Sequence, residues 1–137
     1  MPHVQDDERA AGILGRRAKG LLALDEAMVE LADANCVVTI AAVIAERVKL
    51  QPDIVARALD AESDESISVM CRAAGFSLNG FSALLRMRRR RNHGGRSATE
   101  ALAFFSGLNR ASAERILQPM VPRNARRRFP LTAPRGC

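Results

Sequence analysis

The sequence predicts an all-helical protein of tandem helical hairpins stacked as a short α-solenoid, with an irregular helical bundle as the alternative. Three observations carry this. Strand signals are nearly absent, because β-branched residues cluster only at 37–40, inside a pattern that continues at helical spacing. A short motif is written three times, opening with Lys49-Leu50-Gln51, Gly75-Phe76-Ser77 and Gly107-Leu108-Asn109. At a fixed distance each opening is followed by an apolar triad, Val55, Ala58 and Leu59, then Phe81, Leu84 and Leu85, then Ala113, Ile116 and Leu117, which is i, i+3, i+4 on one helix face. Finally, 137 residues that are 47% apolar and 26% charged make one globular domain with a real core, and exclude collagen-like, disulfide-scaffold and wholly disordered chains.

From the amino terminus, a long helix is expected over 6–33, with Asp6, Asp7 and Glu8 at its positive end and Leu21, Leu24, Met28 and Leu31 as its stripe. Gly12, Gly15 and Gly20 each weaken it by about 1 kcal/mol relative to Ala, so its second half is the stronger. Three further helices are expected at 37–48, 64–74 and 98–106. Ile40, Ile44 and Val48 line the first, and Ile67, Met70, Cys71 and Ala74 the second. Ser63 or Asp64 starts the second, and Ser97 with Glu100 forms a capping box for the third.

Each of these helices leads into one copy of the motif. Gln51, Ser77 and Asn109 are the N-caps, offering side-chain oxygens to an orphan backbone N–H. Leu50 with Val55, Phe76 with Phe81 and Leu108 with Ala113 are hydrophobic staples that set the angle of entry. Pro52 sits where a missing donor costs nothing. Gly75 and Gly107 fall where the preceding helix needs a left-handed residue to stop; Lys49 breaks that rule in the first copy, and Gln51 is a weak cap. Such units cannot bury an apolar face alone, whereas three of them stacked form a continuous core. The expected division is therefore an N-terminal helix over 1–35, a helical-repeat domain over 36–118 and a disordered basic tail over 119–137, where four prolines and five arginines occur without an acid.

The net charge of +6 is unevenly placed: residues 1–65 carry 13 acids and 7 bases, and residues 66–137 carry 2 acids and 14 bases. Such a dipolar chain attracts polyanions at one end, or the acidic end of a neighbouring copy. Arg86, Arg88, Arg89, Arg90, Arg91 and Arg96, with Arg126, Arg127 and Arg128 in the tail, are the candidate contacts to nucleic acid or another polyanion. Residues 64–91 also have the outline of a helix-turn-helix, in which Ser77, Asn79, Ser82 and Arg86 would face base edges. The same outline recurs at Lys49 and Gly107, outside the Arg run, which marks it as a packing unit first.

Catalysis finds little support. His3 and His93 have no evident carboxylate partner, and Cys71 falls on an apolar helix face. Cys36, Cys71 and Cys137 show no metal-ligand spacing and read as reduced thiols, so neither metal nor other cofactor is expected. No apolar run reaches the ~18 residues that span a bilayer. A cytoplasmic location without membrane contact follows.

The segment Ile67-Ser68-Val69-Met70-Cys71-Arg72-Ala73-Ala74-Gly75-Phe76-Ser77, with Leu84-Leu85 after it, resembles the bacterial domain-of-unknown-function family 2336. The likeness covers about residues 36–118. It implies an all-helical, HEAT-like arrangement and carries no catalytic or binding residues across. Taken together, the expected function is that of a non-enzymatic helical-repeat module for a protein partner, with self-association as one form; the alternative is a small basic nucleic-acid-binding protein.

Overall fold

The computed structural model describes residues 2–91, 93 and 97–122, with side chains from Glu8 onward. Among the described residues there are eight α-helices and no strand: α1 (Pro2–Ala18), α2 (Leu24–Asp33), α3 (Val37–Val48), α4 (Pro52–Asp60), α5 (Glu65–Ala74), α6 (Leu78–Arg90), α7 (Ala98–Gly107) and α8 (Arg110–Leu117). A 3-10 turn, Gln118–Met120, closes the series. The all-helical expectation holds, and the three anticipated helices at 37–48, 64–74 and 98–106 are α3, α5 and α7 to within a residue.

The long first helix is instead two. Gly20 adopts a left-handed conformation, φ +79°, and Leu21 N–H donates back to Arg16 O at 2.8 Å, so the chain stops and restarts at Leu24. The same turn recurs at Asn35, Lys49 and Gly75, whose φ values are 58°, 64° and 97°. In each case the next N–H reaches the carbonyl five residues earlier: Cys36 to Leu31, Leu50 to Ala45, and Phe76 to Cys71, at 2.9 to 3.1 Å. This satisfies carbonyls that a helix end would otherwise orphan. Lys49 thus takes the role expected of glycine despite its Cβ. Gly107 does not: it lies in the last turn of α7 without a positive φ, and the third copy of the motif departs there from the other two.

All three expected N-caps begin their helices in extended conformation, but they use different partners. Asn109 accepts from Ser112 N–H at 2.8 Å. Gln51 makes no side-chain cap bond. Ser77 turns outward from its own helix: its N–H donates to Asp25 Oδ1 of α2 at 2.9 Å and its hydroxyl donates to Asp25 Oδ2. The carboxylate of α2 therefore caps α6. Gly80 makes room for it, since a Cβ there would collide with Asp25 Oδ1.

That contact explains the packing. Helices α3 and α4 lie side by side as the hairpin reading expects, but α6 packs chiefly on α2, and α5 sits among α3, α7 and α8. The turn after α5 hands α6 to a helix from the amino-terminal segment rather than back to α5. Met28, Leu31, Ile40, Ile44, Leu59, Ile67, Met70, Phe76, Phe81, Leu84 and Phe105 fill the resulting core. Phe81 and Phe105 stack at 4.3 Å between ring centroids, and the Arg72 guanidinium stands 4.1 Å from the Phe105 centroid, tying α5, α6 and α7 together. Val121 is buried as well, so the body of the protein runs past 118 to the end of the described chain. Residues 123–137, the rest of the anticipated tail, lie outside the described residues.

Arginines seal helix ends across element boundaries. Arg47 Nε of α3 donates to Ala74 O at the end of α5, at 2.6 Å, and Arg72 Nη2 of α5 donates to Phe105 O near the end of α7, at 3.1 Å. Arg110 Nε adds a bond to Ala73 O at 3.2 Å. Burial, with the cationic Arg110 and Arg17 nearby, pulls Arg47 below its ordinary pKa.

Candidate functional site

The arginine run of α6 is the natural first candidate, and its side chains go to several places. Arg88 is fully buried. Its Nε and Nη2 meet Asp64 Oδ1 at 3.1 and 2.9 Å, and its remaining donors reach the carbonyls of Ala58, Leu59, Ala61 and Ser63. These carbonyls surround the end of α4, so one planar guanidinium caps that helix and neutralises the N-cap aspartate of α5. Arg88 is therefore removed from the polyanion contacts expected of the run. The physical cause is local: position 88 falls four residues after Leu84, on the buried face of α6.

The neighbours are partly engaged too. Arg89 Nη2 stands 3.6 Å from Asp64 Oδ2. Arg90 Nη2 donates to Ala32 O at 2.6 Å and to Asn35 Oδ1 at 3.1 Å, closing the end of α2. Arg91 and His93 both face Asp60 Oδ1, at 3.7 and 3.4 Å. Arg86 is exposed. Arg96, Arg126, Arg127 and Arg128 lie outside the described residues. The run thus ties the second half of the chain to Asp60 and Asp64 of the acidic first half. In the helix-turn-helix reading, Ser77 is taken by Asp25, while Asn79 is exposed and Ser82 half-buried.

Other chemistry-bearing residues stand apart. Cys36 and Cys71 are both buried, and burial holds Cys71 far above its ordinary pKa, so its thiolate is suppressed. Among the described residues no group of three or more His, Cys, Asp or Glu could hold a metal ion. Also among them, no helix is long and apolar enough to cross a membrane.

The surface that stands out is apolar. Phe104, Ile116 and Met120 are large hydrophobic side chains that remain 40 to 54% exposed, and all three line one cleft. Val69 and Met70 of α5 and Leu117 of α8 complete its floor, in a volume of about 320 Å³, with Glu65 and Ser66 at the rim. A smaller recess of about 60 Å³ continues from it, sharing Glu65 and Phe104 and adding Ser63, Asp64, Ser68, Glu100 and Ala101. The recess is acidic. In it Asp64 is nearly buried, and its Oδ2 lacks a hydrogen bond among the described residues.

Why the cleft exists is visible in the third motif copy. Its triad member Ile116 was expected in the core, by analogy with Leu84, yet it is 54% exposed while Ala113 and Leu117 are buried. No further helix covers α8 on that side among the described residues. Phe104 precedes the buried Phe105 by one residue and therefore points off the core face. Sequence reading missed the cleft because each of its residues fits an ordinary core pattern; the one available signal was the adjacent pair Phe104-Phe105, which a single helix face cannot bury together.

Neither a search of curated proteins nor one of solved structures returned a match. A family model does match, over residues 2–118, the family described as uncharacterised protein conserved in bacteria (DUF2336). The match takes in α1 and α2 as well as the repeated motif, which agrees with the packing of α6 on α2. With most of its length inside that model, the chain belongs to this bacterial DUF2336 family.

Proposed function

We propose that the protein is a non-enzymatic helical-repeat module, HEAT-like in its stacking, that binds a protein partner in the cytoplasm through the cleft of α5, α7 and α8. One observation carries the reading: three of the exposed large hydrophobics converge on a single cleft instead of being scattered. Met120, 43% exposed, lines it, and its flexible thioether suits a surface that adapts to a bound side chain. The repeat reading draws support from consecutive contacts of α3 with α5 and α5 with α7, and from the Arg47 and Arg72 clamps, each joining one of these helices to the next. The buried free thiol of Cys71 suits a reducing compartment.

A photoreactive side chain at position 116 tests this, with position 38 as the control. Val38 is 84% exposed on α3 and does not line the cleft. The expected result is a discrete polypeptide adduct at 116 that is absent at 38. Identical adducts at both positions, or adducts to nucleic acid alone, would contradict the reading.

A further inference from the structure

From the acidic recess that continues the apolar cleft, we infer that the bound partner segment is cationic at one end: apolar side chains enter the cleft and a lysine or arginine beside them enters the recess. This rests on the reading of the cleft as a partner site and specifies the chemistry of its occupant.

The two cavities are joined through Glu65 and Phe104, which line both, so one bound segment spans them. On the apolar side stand Val69, Met70, Ile116, Leu117 and Met120. On the other side Glu65 and Glu100 are exposed carboxylates for which no ion pair forms among the described residues, whereas Asp60, Asp53, Glu30 and Glu114 each have one. Asp64 contributes a second, independent indication. It is 6% exposed, Arg88 occupies its Oδ1, and its Oδ2, with Arg89 Nη2 standing 3.6 Å away, makes no hydrogen bond among the described residues. A buried carboxylate oxygen without a hydrogen bond is costly even with a cation at ion-pair distance, and a donor arriving in the recess relieves that cost. Ser63 and Ser68 line the same recess.

The site is not a chelate. No metal-holding group of His, Cys, Asp and Glu exists among the described residues, so the complement is a hydrogen-bonding cation with several N–H donors. Guanidinium and ammonium groups have that character, and an adjoining apolar stripe at i, i+3, i+4 spacing fits a helix laid in a groove. A polyanion is repelled by Glu65 and Glu100. The cleft therefore selects against nucleic acid by charge as well as by shape.

The test is fluorescence anisotropy of the full chain with two labelled amphipathic peptides that share one apolar stripe and differ only in carrying Arg or Glu at one end. The Arg peptide is expected to bind about fivefold more tightly at low salt, and the preference should shrink as salt screens the recess. Glu65→Gln with Glu100→Gln should erase the preference while both peptides still bind. Ile116→Asp should abolish binding of both, with an unchanged melting temperature as the check on folding.

Equal binding of both peptides, with the Gln variants neutral, overturns this inference and leaves the cleft reading standing. Absence of binding by either peptide, with Ile116→Asp neutral, overturns both. Two other occupants have their own signatures. If Arg126→Glu, Arg127→Glu and Arg128→Glu together raise affinity for the Arg peptide in the full chain, the segment 123–137 already occupies the cleft and the outside partner is overturned. A concentration-dependent dimer that Ile116→Asp dissolves assigns the cleft to a second copy, with the same consequence.

Discussion

The second and third copies of the repeated motif look alike in sequence and differ in the structure, from the turn that opens them to the helix that follows. In the second, Phe76, Phe81, Leu84 and Leu85 are all buried, and even Arg88 at the end of its helix is drawn inside. In the third, Leu108 is only half-buried, Ile116 is exposed and Phe104 lies on the surface. The difference follows from neighbours: α6 has α2 to lie against and Asp25 to cap it, while the outer side of α8 has no helix over it among the described residues. A pattern can therefore specify a helix and its inward face without specifying whether that face is covered. Where the cover is missing, the same residue types that build a core elsewhere line an exposed apolar cleft.

The comparison breaks most visibly at Arg88. Arg88→Ala leaves Asp64 charged and buried and uncaps the end of α4; a loss of about 3–5 kcal/mol is expected in urea unfolding. A loss within the range of exposed arginines, such as Arg86→Ala, would show that the guanidinium is not held inside. Next in size is the matched pair in the triads. Leu84→Ala should cost about 2–5 kcal/mol, and its counterpart Ile116→Ala less than about 0.5 kcal/mol. Equal costs would mean that the third copy is covered after all.

The two glycines of the motif should respond with opposite sign. Gly75→Ala forces a Cβ into a left-handed conformation and against the guanidinium groups of Arg110 and Arg47, and should destabilise by about 1–2 kcal/mol. Gly107→Ala meets nothing within 4 Å and has no positive φ, so it should stabilise by up to about 1 kcal/mol. The smallest effect is at Gly80. There the gain in helix propensity, about 1 kcal/mol, is offset by loss of the Asp25 cap on Ser77, worth about the same. Gly80→Ala should be nearly neutral in the parent and more favourable in an Asp25→Ala background, where only the approach to the Phe76 ring at 3.2 Å remains, a double-mutant cycle that isolates the cap.

Much of this architecture was legible in the residues. The three helices before each turn, the extended caps at Gln51, Ser77 and Asn109, and the staples at Leu50 and Phe76 follow from local chemistry, which acts over a few positions. What was not legible involves partners far along the chain. Nothing near Ser77 in sequence announces that Asp25, 52 residues earlier, will cap it. The Arg run looked like a solvated polyanion site because charge pattern alone does not reveal which face of α6 carries Arg88. Its helical register with Leu84 was the available clue. The break at Gly20 was foreshadowed by weak propensity, but the turn that places α1 on α2 was not.

The central claim is that the exposed Phe104, Ile116 and Met120 form, with α5, α7 and α8, one partner-binding cleft. The most direct measurement is the transfer of amide chemical shifts on titrating the full chain with the Arg-ended amphipathic peptide. Perturbations are expected at Val69, Met70, Phe104, Ile116, Leu117 and Met120, extending to Glu65 and Glu100, with α2 and α4 silent. Shifts centred instead on Arg86 and the end of α6, or spread evenly over the surface, would contradict it.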